Sequence, residues 1–545
     1  MRHLNPTRLA TVAVHDAAAD PAVVELVRML VRPGFAALLA DSEDWRIRAE
    51  FGSGLGRISK SAVASAADLR AVLAAAAVRL GNPLLITANQ EGGRLNALDW
   101  PDMAVFPGAM ALGAAQDPGL ARAAGAALGR QMRALGVTWN LAPVCDLATP
   151  VASPLLGTRC FGADPDRVAE LAAGMVDGLQ GAGVAATAKH FPGLGGTSVA
   201  PYEDAVQLDR LAPGALVPFA AAVDAGVAAV MVGNHVVRDV DPDRPAVLSG
   251  RVVDGLLRTR LGFDGVVTTQ NLSLLGTRWR AGGLGAAAVL ALQAGVDLLM
   301  LDSEVPRAAT TGARRAGNTA AAVRRAVVVA AVLAAVETGQ LTVDRLRESA
   351  ARIAALARRF AISGEDLAGS GELWRYTDQS AAELAGAVAR RSVTVVRAAP
   401  GELPLRLPDG MPVMVARLAE PPALRADSSW QNPFHFPELL AATRSRVEVC
   451  EPGLLPARCQ DGQRVLLVTH DAYRTGEQLR LLDRLRDAGC HLVQVATGDP
   501  ADLARSPAQV CVAAYGSDRH SCKAVVDVLV GRLRPAGQLP VPSPT

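Results

Sequence analysis

The chain has 545 residues, half of them apolar, which is enough for two buried cores. Its 55 Lys and Arg against 53 Asp and Glu leave a net charge of +2, supplying neither a basic face for a nucleic-acid backbone nor an acidic tail. Seven scattered cysteines, with no Cys-x-x-Cys or Cys/His spacing, exclude a disulfide scaffold and a zinc module and read as reduced, structural thiols.

Near the N-terminus the apolar run Leu9-Ala-Thr-Val-Ala-Val is cut by His15 and Asp16 before it reaches signal-peptide length, so a cytoplasmic location is expected. Short apolar or β-branched runs then recur at 34–39, 84–87, 137–141, 184–188, 227–232, 266–269 and 296–301. Ala-rich stretches of helical period lie between them, among them 164–181 and 218–226, the latter opening on a proline that a first helical turn tolerates. Repeated β-then-α units imply a parallel sheet. Polar clusters stand just past several different strands: Asn89-Gln90-Glu91, Lys189-His190, Asn234-His235, Gln270-Asn271 and Asp302. A barrel assembles its site from many strand ends at one rim, whereas an open sheet concentrates it at one switch point, so a (β/α)8 TIM-type barrel is the better fit. The stretch 238–250 shows no convincing strand pattern, and the apolar stretch 326–336 is too short to span a membrane and reads as a buried helix.

Thr342 reads as the N-cap of a helix that closes the barrel. The expected division is a barrel domain over 1–361, a Gly/Ser/Asp-rich linker over 362–380 and a smaller α/β sandwich domain over 381–545. The sandwich domain shows strand-like runs at 393–396, 413–416, 465–468 and 510–513, helices at 476–488 and 523–533, and an extended ending at 537–542.

Six motifs in order resemble those of family 3 glycoside hydrolases of the bacterial β-N-acetylhexosaminidase type. Asn89-Gln-Glu-Gly-Gly-Arg is similar to the family's D-Q-E-G-G-R run, Gly136-Val-Thr-Trp-Asn-Leu-Ala-Pro-Val-Cys-Asp to G-V-N-x-N-x-A-P-V-x-D, and Arg159-Cys-Phe-Gly-Ala-Asp-Pro to R-x-F-G-x-D-P. Lys189-His-Phe-Pro-Gly-Leu-Gly-Gly-Thr is similar to K-H-F-P-G-H-G-D-T, and Asp241-Pro-Asp-Arg-Pro-Ala and Leu261-Gly-Phe-Asp-Gly-Val-Val-Thr-Thr-Gln-Asn-Leu-Ser complete the set. The resemblance implies a barrel with the site at its rim, a second α/β domain, and no cofactor or metal.

A retaining glycosidase needs a carboxylate nucleophile and a second group to protonate the leaving oxygen. By the resemblance, Gln270 stands at the nucleophile position, with Asn271 after it, and Leu194 and Gly196 stand where the family's acid/base His and its Asp would be. An amide is a poor nucleophile and cannot stabilise an oxocarbenium ion as an anion does, and neither Leu194 nor Gly196 carries a proton. Asn89 replaces a sugar-contacting Asp. The near-isosteric acid-to-amide exchanges at 89, 270 and 271 keep hydrogen-bonding capacity while removing charge. Arg159, Lys189 and His190 match residues that hold the sugar, and with Asn89, His235, Gln270 and Asn271 they form the expected binding set. Lys189 is one of only three lysines against fifty-two arginines, which points to a need for a compact ammonium.

Other features have plainer readings. Glu91 suits structural bonds better than nucleophilic attack, His235 is balanced between ligand contact and packing, and the insertion 303–318 after Asp302 suits a solvated loop better than a lid. The aromatic cluster Trp430, Phe434, His435, Phe436 is expected to pack between the domains rather than stack on sugar. The leading expectation is a pseudo-glycosidase that binds an N-acetylhexosamine-like or related polar ligand without hydrolysing it, with no nucleic-acid or membrane partner. The rivals are rerouted glycosyl or acyl transfer in a secondary-metabolite pathway, through His190, Lys189 or an acid from a lid, and residual or substrate-assisted hexosaminidase chemistry, for which Asp146 and Glu91 are the carboxylates at hand.

Overall fold

A computed structural model of the chain describes residues 20–33, 55–57, 66–80, 83–98, 103–149, 156–196, 206–273, 281–301, 311–369, 379–405, 411–418, 434–443, 445–474 and 476–542. The run at 9–16, the strand expected at 34–39, Asp302 and Trp430 lie outside the described residues.

The helix Pro21–Leu30 leads into Val31–Pro33 (β1), and Leu55–Arg57 (β2) precedes the helix Ala66–Leu80. Leu85–Ala88 (β3) is followed by the hairpin Gln90–Gly92 (β4) and Leu95–Asn96 (β5), the helices Ala109–Ala115 and Pro118–Ala134, and Trp139–Asn140 (β6). The helix Pro165–Gly181 leads to Thr187–Phe191 (β7), then Gln207–Leu208 (β8), the helix Val217–Asp224 and Ala229–Val232 (β9). Val236–Val237 (β10) and Asp241–Pro245 (β11) precede the π-helix Arg251–Arg260, Val266–Thr269 (β12), the helix Leu284–Gln293 and Leu299–Leu301 (β13).

Eight of these strands form a parallel series. β13 pairs with β1, β2 with β3, β3 with β6, β7 with β9 and β9 with β12. Single bridges, Trp139 with Ala185 and Thr268 with Leu298, carry the series from β6 to β7 and from β12 to β13. Between β1 and β2 no pairing is present among the described residues, so the closed barrel expected from sequence is not completed. The strands are two to five residues long and offer few ladder positions, so the circuit divides into two- and three-stranded patches. The region with no strand signal, 238–250, holds β11, which joins β10 and β8 in a separate small sheet.

The helices form where caps and spacing demand. Asp164 accepts hydrogen bonds from the backbone N–H of Asp166 and Arg167, both at 3.0 Å, and Pro165 occupies the first turn. This helix crosses Pro118–Ala134 at very short range: a Cβ on Gly178 would stand 2.1 Å from the Arg122 carbonyl oxygen, so only glycine fits. Residues 311–318, expected in a loop, begin the helix Thr311–Glu337, and Thr342 caps Val343–Phe360 through its hydroxyl, which accepts from Arg345 N at 3.1 Å.

Within the expected linker, Gly364–Gly369 is helical, and the helix Gln379–Ser392 then packs on the first unit. Six strands follow: Thr394–Ala398 (β14), Val413–Arg417 (β15), Val447–Val449 (β16), Arg464–Thr469 (β17), His491–Ala496 (β18) and Val510–Ala513 (β19). They form one sheet in the order β14-β19-β18-β17-β15-β16, parallel except for β14. The helix expected at 523–533 is Arg519–Leu529: Asp518 caps it by accepting from Ser521 N at 3.0 Å, and Gly531 follows with φ +77°. Phe436 is buried in the core of this second unit with Leu439 and Leu466, so the aromatic cluster does not pack between domains as expected. No helix among the described residues is long and apolar enough to cross a membrane.

Candidate functional site

The ends of β3, β7, β9 and β12 bring the polar residues together. After β3, the Gln90 side chain clamps Leu98 through both of its backbone groups, at 3.0 and 2.9 Å, and Asn140 at the end of β6 clamps the Gln90 backbone at 3.0 and 2.8 Å. These four bonds fix the turn that carries Asn89 and Glu91. Gly93 completes it at φ +59°, where a Cβ would meet the Gly108 Cα at 2.7 Å.

Glu91 is the centre of the first cluster. Arg159 Nε and Nη2 donate to its two carboxylate oxygens at 2.7 and 2.9 Å, a bidentate fork, while the Lys189 ammonium contacts Oε1. Lys189 Nζ also donates to Asn89 Oδ1 at 3.1 Å. Burial alone would raise the Glu91 carboxyl, but Arg159 and Lys189 outweigh it and hold the group at about 2. Glu91 is therefore a fully ionised structural anion and a weak base.

Asp146 is the centre of the second cluster and is completely buried. It accepts from the Leu194 backbone N–H at 2.7 Å and lies 2.7 Å from His190 Nδ1. Burial pushes its carboxyl up, and His190 and the Leu194 amide more than reverse that, so it stands below its ordinary value. Burial lowers the His190 imidazole despite the pull of Asp146. A carboxylate can only accept, so Nδ1 carries a proton toward Asp146. His235, buried at 1% exposure, lies within electrostatic range of both groups and is pushed down to about 4 by burial, against the pull of Asp146 and the Gly193 backbone.

At the tip of β12, the Gln270 side-chain oxygen accepts from Asn234 N at 3.2 Å. Asn234 Nδ2 donates to the Asn271 carbonyl at 3.1 Å, and the Asn271 side-chain oxygen accepts from Ser273 N at 3.0 Å. Leu194 points into an apolar cluster with Val144, Leu156, Cys160 and Val206, while Gly196 sits at φ +93° with its N–H donating to Thr149 Oγ1 at 2.9 Å.

All the residues expected in the site thus lie along one rim, but in different roles. Arg159 and Lys189 share Glu91, which the sequence had weighed as structural before nucleophilic, and Asn89 accepts from Lys189. Asp146, considered from sequence only as a spare acid, is the group that orients His190. Asn140 and Asn234 were not singled out for their clamping roles, although Asn140 ends β6 and Asn234 stands two residues past β9, near the strand tips that marked other rim residues. Arg94, last residue of the Asn89-Gln-Glu-Gly-Gly-Arg run, pairs across the chain with Asp471 at 2.8 Å, beyond the end of β17 in the second unit. Nothing in the sequence spacing indicates that contact.

The model of the glycosyl hydrolase family 3 N terminal domain matches residues 52–356. A β-N-acetylglucosaminidase/β-glucosidase of Cellulomonas fimi is 31% identical over 359 residues, 63% of this chain and 59% of that protein. A β-hexosaminidase of Xanthomonas axonopodis pv. citri (strain 306) is 38% identical over 245 residues, 43% of this chain and 71% of that one. The solved family 3 β-N-acetylglucosaminidase from Paenibacillus sp. str. FPU-7 superposes with a TM-score of 0.81 at 29% identity, covering 97% of this chain and all of that structure. With the family model matched over more than half of its length and this site at the strand tips, the chain belongs to glycosyl hydrolase family 3.

Proposed function

We propose that this chain is a family 3 protein that binds an N-acetylhexosamine-type sugar at the rim and has lost retaining hydrolysis. The observation that carries this reading is the tip of β12, where a neutral Gln270 amide, bonded to Asn234 N at 3.2 Å, occupies the place at which the sequence resemblance puts the nucleophile. The two nearby carboxylates are committed elsewhere, Glu91 to Arg159 and Lys189, and Asp146 to His190 and the Leu194 amide. Leu194, turned into an apolar cluster, and Gly196 offer no proton. What survives is a set of neutral donors and acceptors beside fixed cations, suited to hydroxyl and acetamido groups. A complete (β/α)8 barrel belongs to the same reading, supported by a parallel series open at one step. A cytoplasmic location also belongs to it, supported by seven free cysteines.

The His190–Asp146 pair favours one second reading, rerouted transfer chemistry with His190 as base, since Asp146 holds Nδ1 at 2.7 Å and orients the ring. A single comparison separates the two. Incubation with a nitrophenyl N-acetylglucosaminide should give thermal stabilisation without nitrophenol release. Release that disappears in the Lys189→Ala variant would overturn the binding-only reading, and absence of any stabilisation would remove the sugar itself.

A further inference from the structure

The loop carrying Arg159 is held from behind by a segment far along the chain. Residues 537–540, which follow the helix Arg519–Leu529 of the second unit, cross onto the first: Gly537 N donates to the Val393 carbonyl at 3.1 Å, Gln538 N to the Ala114 carbonyl at 3.0 Å, and the Pro540 carbonyl accepts from Ala163 N at 2.9 Å. The groove is cut to backbone thickness. A Cβ on Gly162 would stand 2.5 Å from the Pro540 oxygen, and one on Gly113 would stand 1.7 Å from the Phe161 oxygen and 3.2 Å from the Pro540 side chain. Gly537 fits equally closely, its Cβ position being 1.9 Å from the Ser392 oxygen.

Gly162 links this strap to both clusters of the rim. Its carbonyl accepts from Ala148 N at 2.8 Å, two residues beyond Asp146, and three residues before it stands Arg159, bidentate on Glu91. On the other side of the same loop, a Cβ on Gly108 would lie 3.4 Å from the Thr158 oxygen and 3.3 Å from Gly93 Cα in the Glu91 turn. Strap, Arg159 loop and Glu91 turn are therefore stacked backbone against backbone, with glycine at each close approach.

We propose that residues 537–540 are a positioning strap, by which the second unit sets the place of the Arg159 guanidinium and the Asp146–His190 pair in the ligand site. No strap atom belongs to the site. Its effect passes through Ala163 and Gly162, and its consequence for ligand affinity rests on the sugar-binding reading above. Sites whose supporting contacts are loosened by an ångström lose affinity while the fold persists.

The test is a double-mutant cycle on the full chain: a chain stopped after Ala536, the Gly162→Ala variant, and the two combined. Amide exchange is read segment by segment, and affinity for free N-acetylglucosamine by titration. Either single change should speed exchange of the 159–163 amides about tenfold and weaken the sugar about tenfold, with exchange in β9 and β12 unchanged. The combined variant should do no more than the stopped chain, because Gly162→Ala has nothing left to displace. Unchanged exchange at 159–163, or additive effects, would overturn the strap. If the parent chain fails to bind the sugar, the binding reading falls, and the exchange cycle alone still decides the strap.

Discussion

Two buried carboxylates at opposite ends of the strand series meet their cations in different ways. Asp297, just before β13 on the N-terminal face, is completely buried and gathers Arg258 Nη2 at 2.6 Å, Arg345 at 3.3 Å, Arg352 at 3.2 Å, the Ser349 hydroxyl at 2.8 Å and Val267 N at 3.0 Å. Its donors arrive from the π-helix Arg251–Arg260 and the helix Val343–Phe360, so the carboxylate ties the elements that close that face. Glu91, at the C-terminal rim, takes Arg159 and Lys189, both in the candidate site. The same chemistry serves cohesion at one end and the candidate site at the other, in keeping with the division of labour between the two faces of such folds.

The largest expected effect falls on the cohesive end. Asp297→Ala strands three arginines around an empty place and should cost about 3–5 kcal/mol in denaturant unfolding. A much smaller loss would mean that the arginines are satisfied without it. Glu91→Gln comes next, at about 3 kcal/mol, with a pH signature of its own. Its folded pKa lies below the ordinary 4.5, at about 2, so its stabilisation is fully present above pH 4.5 and is lost as pH falls toward 2. Stability curves of parent and variant should therefore converge through that window; curves that stay parallel would show that the ion pairs contribute nothing.

His235 gives a milder effect in a separate window. Burial lowers its pKa from 6.5 to about 4, so the unfolded chain binds the proton first and stability falls as pH drops from 6.5 to 4. His470 in the second unit, also near 4 through burial, does the same. Replacing His235 by Asn should remove about half of the acid loss that the two residues share in that window. An unchanged slope would mean that His235 is already charged in the fold. The smallest effect belongs to Arg94→Ala, about 1 kcal/mol, because Asp471 keeps the Asp499 amide at 2.8 Å. Calorimetry should show the two units unfolding further apart in temperature, and superimposable traces would leave the Arg94–Asp471 pair without a coupling role.

The positions of β3, β7, β9, β12 and β13 were legible because apolar runs end in polar tips, and the helices because Asp164 and Thr342 cap them. β18 was not, and Gln494 shows why. The run His491–Ala496 is interrupted by this amide, which is completely buried and donates to Thr469 Oγ1 at 3.2 Å and the Asp502 carbonyl at 2.8 Å. A polar residue in a core strand reads as surface until its partners are known. The rim residues were legible as a set, since a strand period delivers them to one end. Their pairing was not: whether Arg159 faces a ligand or Glu91 depends on a contact across 68 positions, and the Arg94–Asp471 pair spans 377. Removal of the hydrolytic charges is a reading from residue identity alone, and geometry adds what the remaining charges are attached to.

The scarcity of lysine gives the buried Lys189 a practical use. Only two other lysines accompany it, and Lys523 lies exposed on a surface helix beside Asp527. In a protein labelled with nitrogen-15 on lysine alone, Lys189 should yield one slowly exchanging ammonium resonance, sheltered between Glu91 and Asn89. The chain thus carries its own reporter at the candidate site, one that would register a ligand bound there without any added probe.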